Sequence, residues 1–219
     1  LVRRWLLGER LPPRAQPIGD PRELQRPTLV SAEWLRARLG QVRVVDTRSD
    51  LDAFLDLHVP GAVQVTSSSV RVRRGDRDLH LTSPEERARR FGSLGITSDT
   101  PVVLVADARL VATAFSTLGH RRPAILDGGI AAWAAIRGPL TAEASRVEAV
   151  DYRPSSDGLS ITIDEVAAAV AAGEVLVVDV RPVAAFAGGL FTEARPGHVP
   201  GAINRPTANE YDVFGRWRA

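Results

Sequence analysis

The chain has 219 residues, of which 44% are hydrophobic and 25% charged, and its formal net charge is +2. It contains no Cys, which excludes disulfides, thiolate metal sites and a thiol nucleophile within these residues. No apolar run approaches the ~20 residues that span a bilayer, so no membrane partner is expected.

All 28 basic residues are Arg. The short basic clusters, "RVRRGDR" at 71–77 and "RARR" at 87–90, are mixed with acids. They read as a solvated loop and a helix face, and no nucleic-acid partner is expected. The sequence begins at Leu1 and has no Met, as a processed, trimmed or partial chain would.

In chain order, residues 1–27 are rich in Pro, Arg and Leu without a clear period and read as an N-terminal arm. They lack a long hydrophobic core and a small-residue cleavage site, so they do not read as a secretory leader, and a cytoplasmic protein is expected. From residue 28 to 137 strand and helix signals alternate. Ser31 is placed as a helix N-cap, the helix stops near Gly40, and "VRVVD" follows as a β-branched strand. "SPEERARRFGSLG" is a helix with Ser83 as N-cap, Pro84 at its first position and Glu86 closing a capping box. "PVVLVAD" (Pro101 to Asp107) is a buried strand, "ARLVATAFSTLG" an amphipathic helix, "RPAILDGG" a strand ending in a Gly turn, and "IAAWAAI" the start of a helix. The alternation predicts an α/β fold with a central, mainly parallel sheet flanked by helices.

Residues 138–158 are polar, hold Pro and Ser, and read as a linker. The first pattern then returns over 159–219. Thr162 and Glu165 form a capping box, Gly173 ends the helix, and "VLVVDV" is the strand. The repeat is closest at two phrases. "RVVDTR" and "LHVPGAV" in the first copy match "LVVDVR" and "RPGHVPGAIN" in the second. They align Asp46 with Asp179, Arg48 with Arg181, and His58 with His198. So long a period means duplicated domains, not a solenoid. The second copy holds only its first helix, first long strand and His loop, so it is expected to be half a domain with exposed apolar strand edges.

Asp-x-Arg followed by His-Val-Pro-Gly-Ala, then "PVVLVAD" and "LGHRRPAILDGGIAAW", resembles the rhodanese fold. Two such units in tandem, with an insertion before the second His, resemble the thiosulfate and 3-mercaptopyruvate sulfurtransferases. The resemblance covers about residues 28–219. It implies a Cys that takes a sulfane sulfur from a small sulfur-containing anion, thiosulfate or mercaptopyruvate, becomes a persulfide, and passes the sulfur to a thiophilic acceptor. It also implies a first domain that is degenerate. In this chain Ala106 and Asp107 stand where a Cys loop would begin, and the loop is shorter than the family's. The second domain's nucleophile is expected beyond Ala219, so no catalytic residue is assigned within the chain. Family members that use thiosulfate commonly place an Arg where this sequence has Ala185, so the donor differs or another cation meets it.

Asp179, Arg181 and His198 are candidates for lining the pocket or organising its loops, with Asp46, Arg48 and His58 as first-copy equivalents. A purely architectural role competes with this for each. The Asp–Arg pairs can tie neighbouring loops together. The His residues can be turn residues whose rings bond backbone or the neighbouring Asp. Gly128 and Gly129 suit a tight turn, and Trp133 and Phe186 suit packing. No cofactor is expected, because no phosphate-binding Gly loop is present, and no metal, because no ligand spacing is present. The reading that competes with a sulfurtransferase is a non-catalytic rhodanese-like binding or regulatory protein.

Overall fold

The computed structural model describes residues 28–74, 78–106, 108–120, 123–155, 161–190 and 196–210. The elements in chain order begin with β1 (Thr28–Val30), α1 (Ala32–Arg36), β2 (Arg43–Asp46), α2 (Leu51–Asp56), β3 (Val63–Gln64), β4 (Arg71–Arg74) and β5 (Asp78–Leu81). They continue with α3 (Pro84–Ser93), β6 (Val102–Val105), α4 (Arg109–Ser116), β7 (Pro123–Leu126) and α5 (Gly129–Ala135). The last are α6 (Ile163–Ala171), β8 (Val178–Asp179), α7 (Val183–Phe186) and β9 (Ile203–Asn204), followed by a 3-10 turn at Thr207–Glu210.

Five strands make one parallel sheet in the order β1-β7-β6-β2-β3. Its centre is β6, whose four residues, VVLV, are all fully buried. Successive side chains of a strand point to opposite faces. Val102 and Leu104 therefore enter one core with Phe91 of α3 and Phe115 of α4. Val103 and Val105 enter the other with Leu35 of α1 and Trp133 of α5. A run with no polar position is what a strand covered by helices on both faces requires. The helices begin where their caps dictate. Ser31 accepts from the Trp34 amide at 3.2 Å. The Ser83/Glu86 box closes with bonds of 3.2 and 3.0 Å. Among the described residues no helix is long and apolar enough to cross a membrane.

Three stretches carry structure that the sequence reading did not specify. The basic cluster at 71–77 reads as a loop, but residues 71–74 form β4, which pairs antiparallel with β5 from Arg71↔Leu81 to Arg74↔Asp78. Val70, fully buried, pins its base, and the Thr82 amide donates to the Val70 carbonyl at 3.0 Å. Thr28–Val30 is too short to announce itself and is a strand only because β7 offers an edge. The polar stretch after α5 reads as a linker, and its residues 141–155 strap the first unit. Thr141 and His58 exchange two backbone bonds of 2.9 Å, the Val150 amide reaches Gly92 at 2.9 Å, and the Ser155 amide reaches Leu118 at 2.9 Å. Tyr152 is buried in the core and its hydroxyl lies 3.1 Å from Nδ1 of His120.

Residues 161–210 repeat the first pattern on a smaller scale. β8 pairs with β9 in the register Val178↔Ile203 and Asp179↔Asn204, as β2 pairs with β3 through Val45↔Val63 and Asp46↔Gln64. The apolar run "VLVVDV" yields a strand of only two residues, because among the described residues β8 has one neighbour where β2 has two. Leu176 is 50% exposed, whereas Val44 and Val45 are buried. No α6 residue is buried.

The strap's seat is narrow at Gly92. A Cβ there would overlap the Val150 carbonyl oxygen, which is backbone and cannot swing away. Gly92→Ala is expected to lower unfolding free energy by about 2 kcal/mol through overpacking. It should also speed amide exchange at Val150, measurable by urea denaturation and hydrogen exchange.

Candidate functional site

The carboxyl ends of parallel strands are where open α/β sheets place their sites. β2 ends there in Asp46, which is almost wholly buried. A buried carboxylate needs a charged partner, and the chain supplies it two residues on. Asp46 Oδ1 accepts from the Arg48 amide at 3.0 Å and from Nε at 3.0 Å, while Oδ2 accepts from Nη2 at 2.7 Å. The same guanidinium donates to the Ala53 carbonyl at 3.0 Å and the Leu57 carbonyl at 2.8 Å. One Arg thus binds the strand end to both ends of α2. His58 follows, buried, with its ring stacked on Phe54 at 4.4 Å. Its nitrogens lie 2.8 Å from the Phe54 carbonyl oxygen and 3.1 Å from that of Glu143.

The second copy builds the same constellation. Asp179 Oδ1 accepts from the Arg181 amide at 2.9 Å and Nε at 3.0 Å, and Oδ2 accepts from Nη2 at 2.6 Å. Nη2 also donates to the Gly197 carbonyl at 2.6 Å. The His198 ring stacks on Phe186 at 3.7 Å, with Nδ1 2.8 Å from the Phe186 carbonyl oxygen. Both His rings therefore meet a backbone carbonyl oxygen and stack on an aromatic platform. The hydrogen bonds from Arg181 hold the Asp179 carboxyl below its ordinary range, against the opposing effect of burial.

Two residues that sequence reasoning passed over complete the arrangement. Gln64 Nε2 donates to the Arg48 carbonyl at 3.0 Å. Asn204 Nδ2 donates to the carbonyls of Asp179 and Arg181, both at 2.9 Å. Each follows the hydrophobic residue after Gly-Ala in its copy, so an in-register comparison of the repeats would have found them.

At the end of β6, Ala106 takes a left-handed φ of 79°. For a residue with a Cβ this costs about 1 kcal/mol. The turn packs against the Gly128–Gly129 turn after β7, where a Cβ on Gly129 would sit 3.4 Å from the Ala106 nitrogen. Ala108 is buried and caps α4 without a side-chain bond. Asp107 lies outside the described residues. The described side chains on either side, Ala106 and Ala108, offer no nucleophile and no charge.

The rims of the two copies meet. Arg109, the first residue of α4, donates from Nη1 to Thr207 Oγ1 at 3.1 Å. The Thr207 amide in turn donates to the carbonyl of Val180, between Asp179 and Arg181, at 3.0 Å. Among the described residues no group of three or more His, Asp or Glu side chains converges to hold a metal ion.

The two Asp–Arg pairs differ in burial, and so in what their loss costs. Asp46→Ala leaves the Arg48 guanidinium without its carboxylate in a mostly buried turn, and should cost about 3 kcal/mol in denaturant unfolding. Asp179→Asn should act locally, weakening amide protection at Arg181 and Arg205. Because the folded pKa of Asp179 is depressed, its contribution is complete above the unfolded value of about 4. It is lost as pH falls through the folded value. Protection in wild type and Asp179→Asn should therefore converge on acidification, as followed by hydrogen exchange against pH.

Comparison with known proteins matches the geometry. Residues 31–136 match the rhodanese-like domain model. The chain is 33% identical to thiosulfate sulfurtransferase from Gallus gallus, over 81% of this chain and 69% of that protein. It is 31% identical to a putative thiosulfate sulfurtransferase from Synechococcus elongatus, over 81% of this chain, and spans only 58% of that protein's length. It is 29% identical to human 3-mercaptopyruvate sulfurtransferase, covering 88% of this chain and 66% of that one. In fold it is similar to SseA from Escherichia coli, with a TM-score of 0.77 at 23% identity, over 89% of this chain and 80% of that one. The strand-end Asp–Arg pairs and His turns thus stand in a chain that is 33% identical, over the aligned residues, to a relative of which it covers 69%: it belongs to the rhodanese family.

Proposed function

We propose that these residues form the first domain and part of the second domain of a tandem sulfurtransferase that moves sulfane sulfur through a Cys persulfide. In this reading residues 28–137 are the first domain, 138–158 the connection and 159–219 part of the second domain. The observation that carries it is the duplicated Asp-x-Arg and His turn, built with the same hydrogen bonds in both copies.

The chemistry sets the division of labour. A thiolate attacks the outer sulfur of thiosulfate, the sulfur–sulfur bond breaks, and sulfite leaves with the bonding pair. With mercaptopyruvate the carbon–sulfur bond breaks instead, the carbon keeps the bonding pair, and the resulting enolate takes up the proton released by the donor's thiol and leaves as pyruvate. A thiophilic acceptor then takes the sulfur and frees the thiolate. These 219 residues hold no Cys, so in this reading the thiolate comes from outside them. Their own contribution is the frame. Arg181 and Asn204 fix the turn after β8, and His198 closes the loop that leads back to β9. The alanine-lined turn at Ala106 makes the first domain a structural partner. That same turn also suits a non-catalytic binding protein, and one pair of measurements separates the two.

The 219-residue chain is expected to form no thiocyanate from thiosulfate and cyanide above background. The full-length gene product is expected to turn over and to gain the mass of one sulfur atom after exposure to donor. Turnover by the 219-residue chain would overturn the assignment of the nucleophile. A full-length protein that neither turns over nor gains sulfur would establish the binding reading instead.

A further inference from the structure

The basic run of α3 has no part in the sulfurtransferase reading. Glu86, Arg89, Arg90 and Ser93 follow one another at the three- and four-residue steps that share a helix face, and all four are exposed. The opposite face, with Ala88 and Phe91, is buried in the core. The exposed stripe is one wall of a cleft of about 490 Å³. Ser69, from the 3-10 turn Ser68–Val70, and Thr82, which follows β5, line it from the base of the β4–β5 hairpin. Small-molecule sites have about this size, but they are mostly lined by apolar side chains. None of the described residues lining this one is apolar.

The positive charge here is unmatched. Among the described residues the Arg89 and Arg90 guanidinium groups donate no hydrogen bond and close no ion pair. Behind the cleft stands a third guanidinium, almost wholly buried. Arg87 donates from Nη1 to the Thr82 carbonyl and from Nη2 to Thr117 Oγ1 at 3.3 Å, while its Nε is buried with no partner. Glu85 acts on Arg87 and Arg89 through its field, without closing an ion pair. A buried charge is costly unless it is paired. Thr82 both holds Arg87 and lines the cleft, so an anion bound there would sit beside this unmatched cation.

The remaining polar groups decide what kind of anion fits. Ser69 Oγ donates to the Thr66 carbonyl and Ser93 Oγ to the Arg90 carbonyl, both at 2.8 Å. With its proton committed, a hydroxyl offers a ligand only its lone pairs. Glu86, whose Oε2 accepts from the Ser83 amide at 3.0 Å, is likewise an acceptor. A bare oxyanion satisfies the arginines but has nothing to donate to these groups. A phosphate ester that carries hydroxyls satisfies both, its phosphate taking guanidinium N–H groups and its hydroxyls donating to serine and carboxylate oxygens. We propose that the cleft between α3 and the base of the hairpin binds a soluble phosphate ester of a small polyol, such as a sugar phosphate. The site stands independently of the sulfurtransferase reading.

Isothermal titration of the full-length protein with ribose 5-phosphate and glycerol 3-phosphate tests this. At least one ester should bind about tenfold or more tightly than inorganic phosphate, and ribose and glycerol should not bind measurably. Arg89→Ala and Arg90→Ala should each weaken ester binding about tenfold, and Arg90→Lys should regain part of the loss. Ser93→Ala should weaken the ester and leave inorganic phosphate unchanged, a split that a purely electrostatic contact would not produce. The three side chains are exposed, so the unliganded variants should unfold at the wild-type temperature. Esters that bind no more tightly than inorganic phosphate, or equally well to the arginine variants, would overturn the proposal and leave a solvated helix face. Binding only to vesicles that carry a phosphorylated inositol headgroup would also overturn it, by making the cleft a membrane contact. Sulfur-donor turnover enters none of these readouts, so this inference and the sulfurtransferase reading fail separately.

Discussion

A carboxylate at the last position of a buried parallel strand has to be neutralised where it stands. Asp46 meets that demand with Arg48, two residues along the same chain, and the solution shapes everything after it. The guanidinium that holds the carboxylate also holds the Ala53 and Leu57 carbonyls, so the ionic pair sets the path of α2. That path brings His58 onto Phe54 and its backbone onto Thr141, which is where the strap begins. Replacing such a buried pair by apolar residues can be neutral for stability, whereas removing one partner is not. The pair is better understood as fixing the loops at the sheet's rim than as a reserve of stability.

The rim owes its position to β6. With all four of its residues buried between two cores, this strand leaves little freedom in the sheet. Its carboxyl end is the natural place for a reactive loop, and here the chain turns at once through Ala106 into α4. Arg109, the first residue of α4, reaches Thr207 of the second copy from this end of the sheet.

Much of this was legible in the sequence, for physical reasons that differ from element to element. The apolar run at 102–105 announced a buried parallel strand because double-sided burial leaves no room for polar positions, and the Val44–Val45 pair marked the interior of β2 between its charged ends. The capping boxes at Ser83 and Thr162 fixed helix starts because their bonds lie within four consecutive residues. The hairpin of β4 and β5 stayed hidden, since its arginines look like solvated loop and its anchor, Val70, lies outside the cluster. The strap was equally silent. Its attachments are mostly backbone bonds to distant residues such as Gly92 and Leu118, and the polar composition around Tyr152 suggests solvent. The Arg109–Thr207 contact could not be recognised from sequence, because its partners lie 98 residues apart.

The two copies separate what a motif carries by itself from what a fold must supply. Around Asp179 the hydrogen bonds repeat those around Asp46 almost atom for atom, although the neighbouring Leu176 and Ile163 are largely exposed and β8 has a single strand beside it. The constellation needs only a few contiguous residues, a Gly-Ala turn and one amide side chain, all brought together by β8 pairing with β9. Strand length behaves in the opposite way. "VLVVDV" is as apolar as its counterpart, but a ladder extends only as far as a neighbour accompanies it. Local chemistry can therefore be complete in a segment whose core is not. It follows that the rim geometry of the second unit can be read without its core, whereas its stability depends on how its exposed apolar residues are covered.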